Sequence, residues 1–425
     1  MKAAGDSAAG RPWATGASRR RAFPAAGFAL LAAALAAKAQ TPTPAAPPVL
    51  SQIDRIVREQ FWDPKFNGAD WDAAVRRAGG ELARASNASE RDAAYDRLLA
   101  VLSDSHTFRM PAGFPERRWS TAGLRIGREE AGYAVKGVLP GGPADRAGIR
   151  VGDRVLAVGG RRYGAERVNF RDLFFVFEGP AASSVNVTWI PAGGSEQKTA
   201  LLRREPEEPG DALVWKSARV LDREGKKYGY LRLWGVSADT ALAVVDLLLD
   251  RAEAARSKPE LKDWAAIEGV LLDVRGNSGG YDPNILTTFL RGQWSAGDYE
   301  VLTREGRRVV PPEYRKLPVA LLVNSGTASA GEALALKFRT HGIGPIVGEE
   351  TAGMLSGGAA FEKLSDGSTL FLSRRAIRDL QGRSYEGRGV PPDVRVADRP
   401  GAAPGQEDAV VEAAVRALSL LSSSK

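Results

Sequence analysis

The chain has 425 residues, 44% of them hydrophobic, which is enough for two or three domains with real cores. It contains no cysteine, which excludes disulfides, thiolate metal ligands and a cysteine nucleophile, and its two histidines are too few for a multi-histidine metal centre. Six basic residues and one acidic residue within positions 1–39 account for +5 of the net charge of +8, so the remaining +3 gives no support for nucleic-acid binding.

The N-terminal segment has the pattern of an export signal. Arg19-Arg20-Arg21 precedes an apolar stretch at 24–36, and Ala37-Lys38-Ala39 follows as an A-x-A-like cleavage site. The apolar stretch is shorter than the ~20 residues that a membrane span needs. We therefore predict a signal peptide at 1–39, no stable membrane span, and a periplasmic or otherwise exported protein. The paired arginines hint at the twin-arginine route and leave the choice of route open.

A proline-rich linker at 40–49 leads into a helical region. Ile53, Ile56, Val57 and Phe61 recur at helical spacing, and capping residues begin further helices near positions 70 and 89. We predict an N-terminal helical domain of three amphipathic helices over residues 50–118.

Residues 119–205 change to short alternating strands and glycine turns. Positions 139–160 read Leu-Pro-Gly-Gly-Pro-Ala-Asp-Arg-Ala-Gly-Ile-Arg-Val-Gly-Asp-Arg-Val-Leu-Ala-Val-Gly-Gly, and this segment resembles a bacterial PDZ domain. The resemblance implies that Gly123, Leu124, Arg125 and Ile126 bind the C-terminus of a peptide. Main-chain N–H groups would cradle the carboxylate while the peptide adds to the sheet edge as a strand. The alternative is a generic small β-domain.

A second linker at 206–212 precedes a domain over 213–425 in which strands and helices alternate. Strands are predicted at 228–233, 267–274 and 318–323, with a helix at 239–255. This order favours helices packed on a mostly parallel sheet. A hairpin at 361–373 and a final amphipathic helix at 408–421 complete the domain.

Two strand ends in this domain carry glycines and small polar residues. One strand ends at Asp273 and continues into Gly279-Gly280, and the other ends at Val323, shortly before Ser329 and a helix. Ligands gather at the carboxyl ends of parallel strands, and a helix N-terminus offers free N–H groups and a favourable dipole. Ser329 is thus a candidate nucleophile beside an oxyanion hole. Its alternative role is that of a capping hydroxyl.

Together these segments resemble the family of C-terminal-processing (tail-specific) and tricorn-type serine peptidases. The resemblance spans nearly the whole chain after the signal peptide. It implies an α/β multi-domain fold with an inserted PDZ domain and a ClpP/crotonase-like peptidase core. The motifs that carry it, in the same order as in the family, are Asp-x-Arg-x-Asn-x-Gly-Gly at 273–280, Thr-Ala-Ser-Ala-Gly-Glu at 327–332, Leu-Ser-Asp-Gly at 364–367 and Glu-Gly-Arg-Gly-Val-Pro-Pro-Asp at 386–393.

The family has two catalytic styles, and the first pairs the serine with a lysine. The closest counterpart of that lysine here is Met354, whose thioether cannot take a proton from serine. Lys363 follows the same position on the predicted hairpin and is kept as a remote alternative base.

The second style uses serine, histidine and glutamate, and its motifs match Ser329, His106 and Glu386. The resemblance implies that Ser329 is the nucleophile and His106 the general base, while Glu386 and Ser105 orient the imidazole. The N–H groups of Ala330 and Gly279 would bind the oxyanion. His341 lies twelve residues after Ser329, about 18 Å along an unbroken helix, which is too far to serve as its base.

The predicted function is that of an exported serine endopeptidase acting on unfolded or flexible polypeptides. Its PDZ domain would recognise substrate C-termini or gate the site. No metal, cofactor or nucleic acid is expected, and the oligomeric state stays open. One alternative is a catalytically inactive PDZ-bearing adaptor on the same fold, and another is a peptidase confined to short peptides.

Overall fold

A computed structural model describes residues 49–112, 119–281, 283–292, 301–302, 308–309, 316–398 and 408–423, all within one compact unit, Pro47–Lys425. The predicted signal peptide and nearly all of the first linker lie outside these residues. None of the described helices is both long enough and apolar enough to cross a membrane. The predicted domain boundaries stay predictions.

The N-terminal region forms the three predicted helices. Asp70 caps the second helix by accepting a hydrogen bond from the Ala73 N–H, and Asn87 caps the third in the same way through the Glu90 N–H. The apolar faces of these helices share one core with a β-hairpin from the far end of the chain, through Leu364, Leu370 and Leu372. The elements are α1 (Val49–Gln60), α2 (Trp71–Arg84), α3 (Ala88–Ala100) and β1 (Phe108–Met110).

The next region is a small β-domain. Its main sheet has the strand order β3-β4-β5-β8-β9 with β6 paired to β5, and β2, β7 and β10 form a separate small sheet. The strands are β2 (Trp119–Thr121), β3 (Leu124–Glu129), β4 (Gly132–Val138), β5 (Arg154–Val158), β6 (Arg161–Arg162), β7 (Glu178–Pro180), β8 (Ser184–Ile190), β9 (Lys198–Arg203) and β10 (Glu205–Pro206). Two short helices, α4 (Pro143–Arg146) and α5 (Phe170–Leu173), accompany them.

The third region is an α/β layer built on a six-stranded sheet of order β11-β12-β13-β16-β17-β22. All neighbouring pairs are parallel except β11 with β12. The strands are β11 (Arg219–Arg223), β12 (Lys226–Arg232), β13 (Gly269–Asp273), β14 (Val301–Leu302), β15 (Arg308–Val309), β16 (Val319–Val323), β17 (Ile346–Gly348), β18 (Ser356–Gly357), β19 (Ala360–Lys363), β20 (Thr369–Leu372), β21 (Arg375–Ala376) and β22 (Val394–Arg395). The helices are α6 (Gly210–Ser217), α7 (Ala238–Leu249), α8 (Arg251–Ser257), α9 (Asn284–Leu290), α10 (Ala330–His341) and α11 (Ala409–Ser423).

The predicted multi-domain α/β class is confirmed, with one local difference. The helix expected over 239–255 is two helices, because Asp250 leaves the helical conformation and caps α8 by accepting a hydrogen bond from the Glu253 N–H. Short 3-10 turns occur at Phe66–Gly68, Phe175–Phe177, Pro259–Leu261 and Trp264–Ala266.

The small β-domain packs directly against the loops that follow β13 and β16. A Cβ placed on Gly127 of β3 would lie 2.5 Å from the carbonyl carbon of Ser325, and one on Gly276 would lie 3.1 Å from the carbonyl oxygen of Lys136. Lys136 itself is buried and forms ion pairs with Glu129 at 2.9 Å and with Glu349 at 2.8 Å. In addition, one hydrophobic cluster extends from this domain to Ala328, in the turn that carries Ser329.

Candidate active site

Ser329 lies between the end of β16 and the start of α10, in a turn whose side chains bind the main chain that follows β13. The Asn324 side chain accepts hydrogen bonds from the N–H groups of Gly276 (2.9 Å) and Gly326 (3.0 Å). Thr327 donates its hydroxyl to the Val274 carbonyl at 2.8 Å. Ser329 itself has φ 53° and ψ −119°, a conformation that serine rarely adopts. The turn thus holds the hydroxyl in a strained, half-buried position at the helix N-terminus.

The ends of strands β13 and β16 lead into loops that lie in direct contact. A Cβ on Gly279 would lie 2.5 Å from the Ser329 Cβ, and φ at Gly279 is +93°, so only glycine fits at this close approach. The Ala328 N–H donates to the Asn277 carbonyl at 2.9 Å, which joins the two loops through the main chain.

His106 meets the hydroxyl of Ser329 although 223 positions separate them in the chain. Its Nε2 lies 3.1 Å from Ser329 Oγ. The ring is 4% exposed and stacks on Phe170, with ring centroids 4.5 Å apart. Burial lowers the pKa of His106 to about 4, so the imidazole is neutral near pH 7 and can accept a proton.

Ser105 and Glu386 stand on the other side of the His106 ring. Ser105 Oγ is 2.9 Å from His106 Nδ1, and the Ser105 N–H donates to Glu386 Oε1 at 2.8 Å. The second carboxylate oxygen of Glu386 is buried without a hydrogen-bond partner among the described residues. Burial, and next the charge of Asp104, raise the pKa of Glu386 to about 8. The four residues predicted to be catalytic are therefore linked by hydrogen-bond contacts, with Ser105 reaching Glu386 through its main-chain N–H. Their roles stay predictions.

The two predicted oxyanion donors differ in their surroundings. Ala330 begins α10, and its N–H makes no hydrogen bond within the described chain. The Gly279 N–H donates to Asn277 Oδ1 at 2.8 Å. Binding of an oxyanion by Gly279 would thus require that hydrogen bond to be given up or shared, and both roles stay predictions.

Glu332, a buried acid three residues after Ser329, was not assigned a role from the sequence. One of its oxygens accepts from the Thr351 hydroxyl (2.6 Å) and the Gly353 N–H (2.8 Å). The other accepts from the N–H groups of Met354 (2.8 Å) and Ser329 (3.1 Å). Burial nevertheless raises its pKa to about 7. Its spacing to Ser329 is the signal that could have identified it as an N-terminal capping acid.

The alternative bases lie elsewhere. Met354 lies next to Ser329, and its carbonyl accepts a hydrogen bond from the Ser329 N–H at 3.2 Å. Its thioether cannot act as a base. Lys363 is exposed on β19. His341 is exposed at the far end of α10, which runs unbroken from Ala330.

The predicted peptide-binding residues of the small β-domain lie on and before its edge strand β3. Leu124, Arg125 and Ile126 are at most 1% exposed, and Gly123 precedes them with φ +74°. Arg125 pairs with Glu207 at 3.2 Å. A peptide could reach this strand only if the elements packed on it move, and peptide binding here stays a prediction.

A cleft of about 590 Å³ opens beside Ser329 and follows α10 toward His341. Its apolar lining comes from Ala333 and Leu336 of α10 and from Ile377 on the opposite wall. Tyr281 and Leu380, 78% and 85% exposed, stand at its margin. Concave sites with a partly apolar lining are where proteins generally bind ligands. Across the described parts of the chain, no group of three or more acidic or histidine side chains is arranged to hold a metal ion.

Comparisons with known proteins match two regions of the chain to family models. Residues 227–396 match the model of peptidase family S41, and residues 135–190 match that of a PDZ domain. The chain is 29% identical over 407 residues to tricorn protease homolog 1 of Streptomyces coelicolor, covering 90% of this chain and 36% of that protein. It is 26% identical over 413 residues to the carboxyl-terminal-processing protease of Synechocystis sp., covering 90% and 89%.

The chain thus spans about a third of the length of the Streptomyces coelicolor tricorn homologues that it matches, 36% and 30%. Among solved structures, the photosystem II D1 C-terminal processing protease resembles it with a TM-score of 0.53 and 24% identity, over 82% of this chain and 92% of that one. That likeness concerns the fold.

Fold and motifs together resemble an S41-type peptidase core that carries a PDZ domain. Residues 227–396 carry the match to peptidase family S41, and a carboxyl-terminal-processing protease and a tricorn protease homologue are among the relatives of the chain. The predicted resemblance is therefore confirmed, and the alternative of an inactive adaptor is not favoured.

Proposed function

We propose that this protein is an exported serine endopeptidase that hydrolyses peptide bonds in unfolded or flexible polypeptides. The observation that carries the proposal is the 3.1 Å contact between Ser329 Oγ and His106 Nε2 at the N-terminus of α10. A neutral, buried imidazole within hydrogen-bond reach of a serine hydroxyl is what activation of that serine requires.

The reaction follows from these positions. Ser329 Oγ attacks the carbonyl carbon of the scissile bond while its proton passes to His106 Nε2. The carbonyl oxygen becomes negative beside the Ala330 N–H and the positive end of the α10 dipole, which stabilise it. His106 then donates the proton to the leaving nitrogen and releases the C-terminal fragment. Water, deprotonated by His106, hydrolyses the remaining ester and restores Ser329.

Glu386 and Ser105 act behind the imidazole in this proposal. Nδ1 of His106 must carry a hydrogen while Nε2 accepts one, and Ser105 Oγ at 2.9 Å can accept that hydrogen bond. Glu386, next to Ser105, would stabilise the imidazolium that forms in the transition state.

The PDZ domain would select substrates through a free C-terminus or gate access to Ser329. Its contact with the nucleophile turn, at Gly127 and Ser325, supports such a link. Release of the mature protein from the cytoplasm is part of the proposal, and sequencing the N-terminus of the protein recovered from the periplasm tests it. A mature protein that starts far from residue 40 would contradict the proposed signal peptide.

The test of the activity is cleavage of an intrinsically disordered protein, followed by gel and mass spectrometry. We expect Ser329→Ala to abolish cleavage and labelling by a serine-reactive phosphonate. Ser325→Ala is the matched control, because its buried hydroxyl has no hydrogen-bond partner among the described residues of the same turn. Cleavage by Ser329→Ala at the wild-type rate would refute the mechanism. Faster cleavage of a tetrapeptide than of the disordered protein would favour the short-peptide alternative.

A further inference from the structure

A second hydroxyl, independent of Ser105, reaches the same nitrogen of His106. Ser356 Oγ lies 3.1 Å from His106 Nδ1, on a side chain that is only 7% exposed and comes from β18. Ser105 Oγ lies 2.9 Å from that nitrogen. In the tautomer that leaves Nε2 free, the neutral imidazole has its one hydrogen at Nδ1, and both hydroxyl oxygens lie within reach to accept a hydrogen bond from it.

Behind Ser356 is a buried carboxylate, Asp104. Ser373 Oγ is 2.6 Å from Asp104 Oδ1 and 3.1 Å from Ser356 Oγ, while Ser356 Oγ is 3.4 Å from the same carboxylate oxygen. Thr107 Oγ1 and the His106 N–H add hydrogen bonds to Asp104 Oδ1 at 2.9 Å and 3.0 Å. Asp104 therefore receives donors from its own loop and from β18 and the residue after β20.

With the hydrogen of the imidazole on Nδ1, the single hydrogen of each hydroxyl allows a chain of hydrogen bonds that runs toward Asp104. His106 Nδ1–H donates to Ser356, Ser356 donates to Ser373 or directly to Asp104, and Ser373 donates to Asp104. Each hydroxyl then accepts one hydrogen bond and donates one, and the acid at the end of the chain stabilises partial positive charge on the imidazole ring. Chains of this kind polarise one another in a low-dielectric interior.

We propose that Asp104 is a second positioning residue for His106: through Ser356 and Ser373 it holds the Nδ1–H tautomer and stabilises the imidazolium, in parallel with Ser105 and Glu386. The inference rests on the proposed role of His106 as base. It differs from that proposal in giving the imidazole two carboxylates, on two separate hydroxyl routes.

The charged surroundings of the ring are compatible with such sharing. The titratable groups around the ring and its hydroxyl partner are Asp104 on its own loop, Glu386 on the loop after β21 and Glu332 on α10. The elements α5 and β20 present the uncharged rings of Phe170 and Phe371. The charge of Asp104 raises the pKa of Glu386, so ionisation of one acid disfavours that of the other.

The chain contains only two histidines, which makes a direct test feasible. In the ¹⁵N-histidine-labelled full chain carrying His341→Ala, the remaining imidazole signals belong to His106. We expect wild-type surroundings to show Nδ1 protonated and Nε2 free. Asp104→Asn and Ser356→Ala should each lower the pKa of His106 and raise the population of the other tautomer.

Thr107→Val is the matched control, because it removes a hydrogen bond to the same Asp104 oxygen, and the acceptor of the Ser373 N–H at 3.3 Å, while every hydroxyl on the path to His106 stays in place. It should leave the tautomer and the pKa of His106 unchanged. Equal shifts in Thr107→Val and Asp104→Asn, or no shift in Ser356→Ala, would overturn the inference. Ser356→Ala keeps the test valid if Asp104→Asn fails to fold.

Kinetics provide the second readout. Ser356→Ala and Ser105→Ala should each lower kcat roughly tenfold with KM nearly unchanged, and the double variant should lose more than the two effects combined, because each route covers for the other. Strictly independent effects would contradict two parallel routes. If no variant, wild type included, cleaves protein, the proposed function fails while the tautomer measurement still decides this inference.

Discussion

An imidazole lies at each end of helix α10, and the two have opposite surroundings. At its N-terminus the imidazole of His106 is buried, stacked on Phe170 and hydrogen-bonded at both nitrogens. At its C-terminus His341 is exposed near Arg291 and Lys337, and partial desolvation and then these cations lower its pKa. The difference teaches that the groups around an imidazole, rather than the residue itself, make a base.

The largest difference in activity is expected when each of the two histidines is replaced in turn. His106→Gln should reduce kcat by about 10⁴-fold or more, because the serine loses its proton acceptor. His341→Gln should change kcat by less than twofold. Both variants are compared by the rate of cleavage of a disordered protein. A large loss in His341→Gln would show that the exposed end takes part in catalysis.

The next change removes the acid behind the buried imidazole. Above about pH 8, where the wild-type carboxyl is ionised, Glu386→Gln should lower kcat roughly tenfold to hundredfold, because a neutral amide stabilises the imidazolium less. The pKa of Glu386 is raised to about 8, so wild-type kcat should climb as the pH passes through that value. The variant should lack this rise, and a pH profile of kcat from 6 to 9.5 checks it.

The same substitution has an opposite effect on stability. The folded protein keeps the Glu386 proton up to about pH 8, whereas the unfolded chain loses it near pH 4.5, so wild-type stability falls between these values. Relative to wild type, Glu386→Gln should therefore gain free energy of unfolding as the pH rises from 4.5 to 8. Urea unfolding at both pH values measures this gain, and a constant difference would contradict the assigned pKa.

A smaller effect should come from the contact that only the buried end of α10 has with the PDZ domain. Gly127→Ala places a Cβ 2.5 Å from main-chain atoms of Ser325, so the nucleophile turn must shift, and we expect about a tenfold loss of kcat. Gly164→Ala is its control, since its Cβ meets nothing within 4 Å. Equal activity of the two variants would show that this contact does not position Ser329.

The smallest effect concerns the charge of the cleft toward the exposed end. Arg375 and Arg378 line it, and both are exposed. Arg375→Gln with Arg378→Gln should raise KM two- to fivefold for acidic peptides and leave basic peptides unaffected. Matched peptides with Glu or Lys at one position measure this. A uniform change for both peptides would indicate a general loss of structure.

Much of this site could be read from the sequence because Ser329, His106 and Glu386 each lie in a distinctive local motif. Asp104, Ser356 and Ser373 could not be identified from the sequence as partners of His106. The two serines lie about 250 positions from the histidine and reach the loop at 104–106 only when β18 and β20 fold against it, and the proposed role of Asp104 depends on them. The N–H of Gly279 is occupied by the side chain of Asn277 only two residues earlier, a local contact that the glycine motif does not reveal. The burial of Leu124 to Ile126 depends on tertiary packing. The break at Asp250 depends on a local cap that competes with a helical pattern.

The backbone of Ser329 has a consequence for heat tolerance. Holding a non-glycine residue at φ 53° and ψ −119° costs on the order of 1–3 kcal/mol, which the surrounding turn must absorb. Ser329→Gly should therefore melt at a higher temperature than the wild-type protein. Calorimetry of the two proteins would show how much thermal stability is lost by holding Ser329 in this conformation.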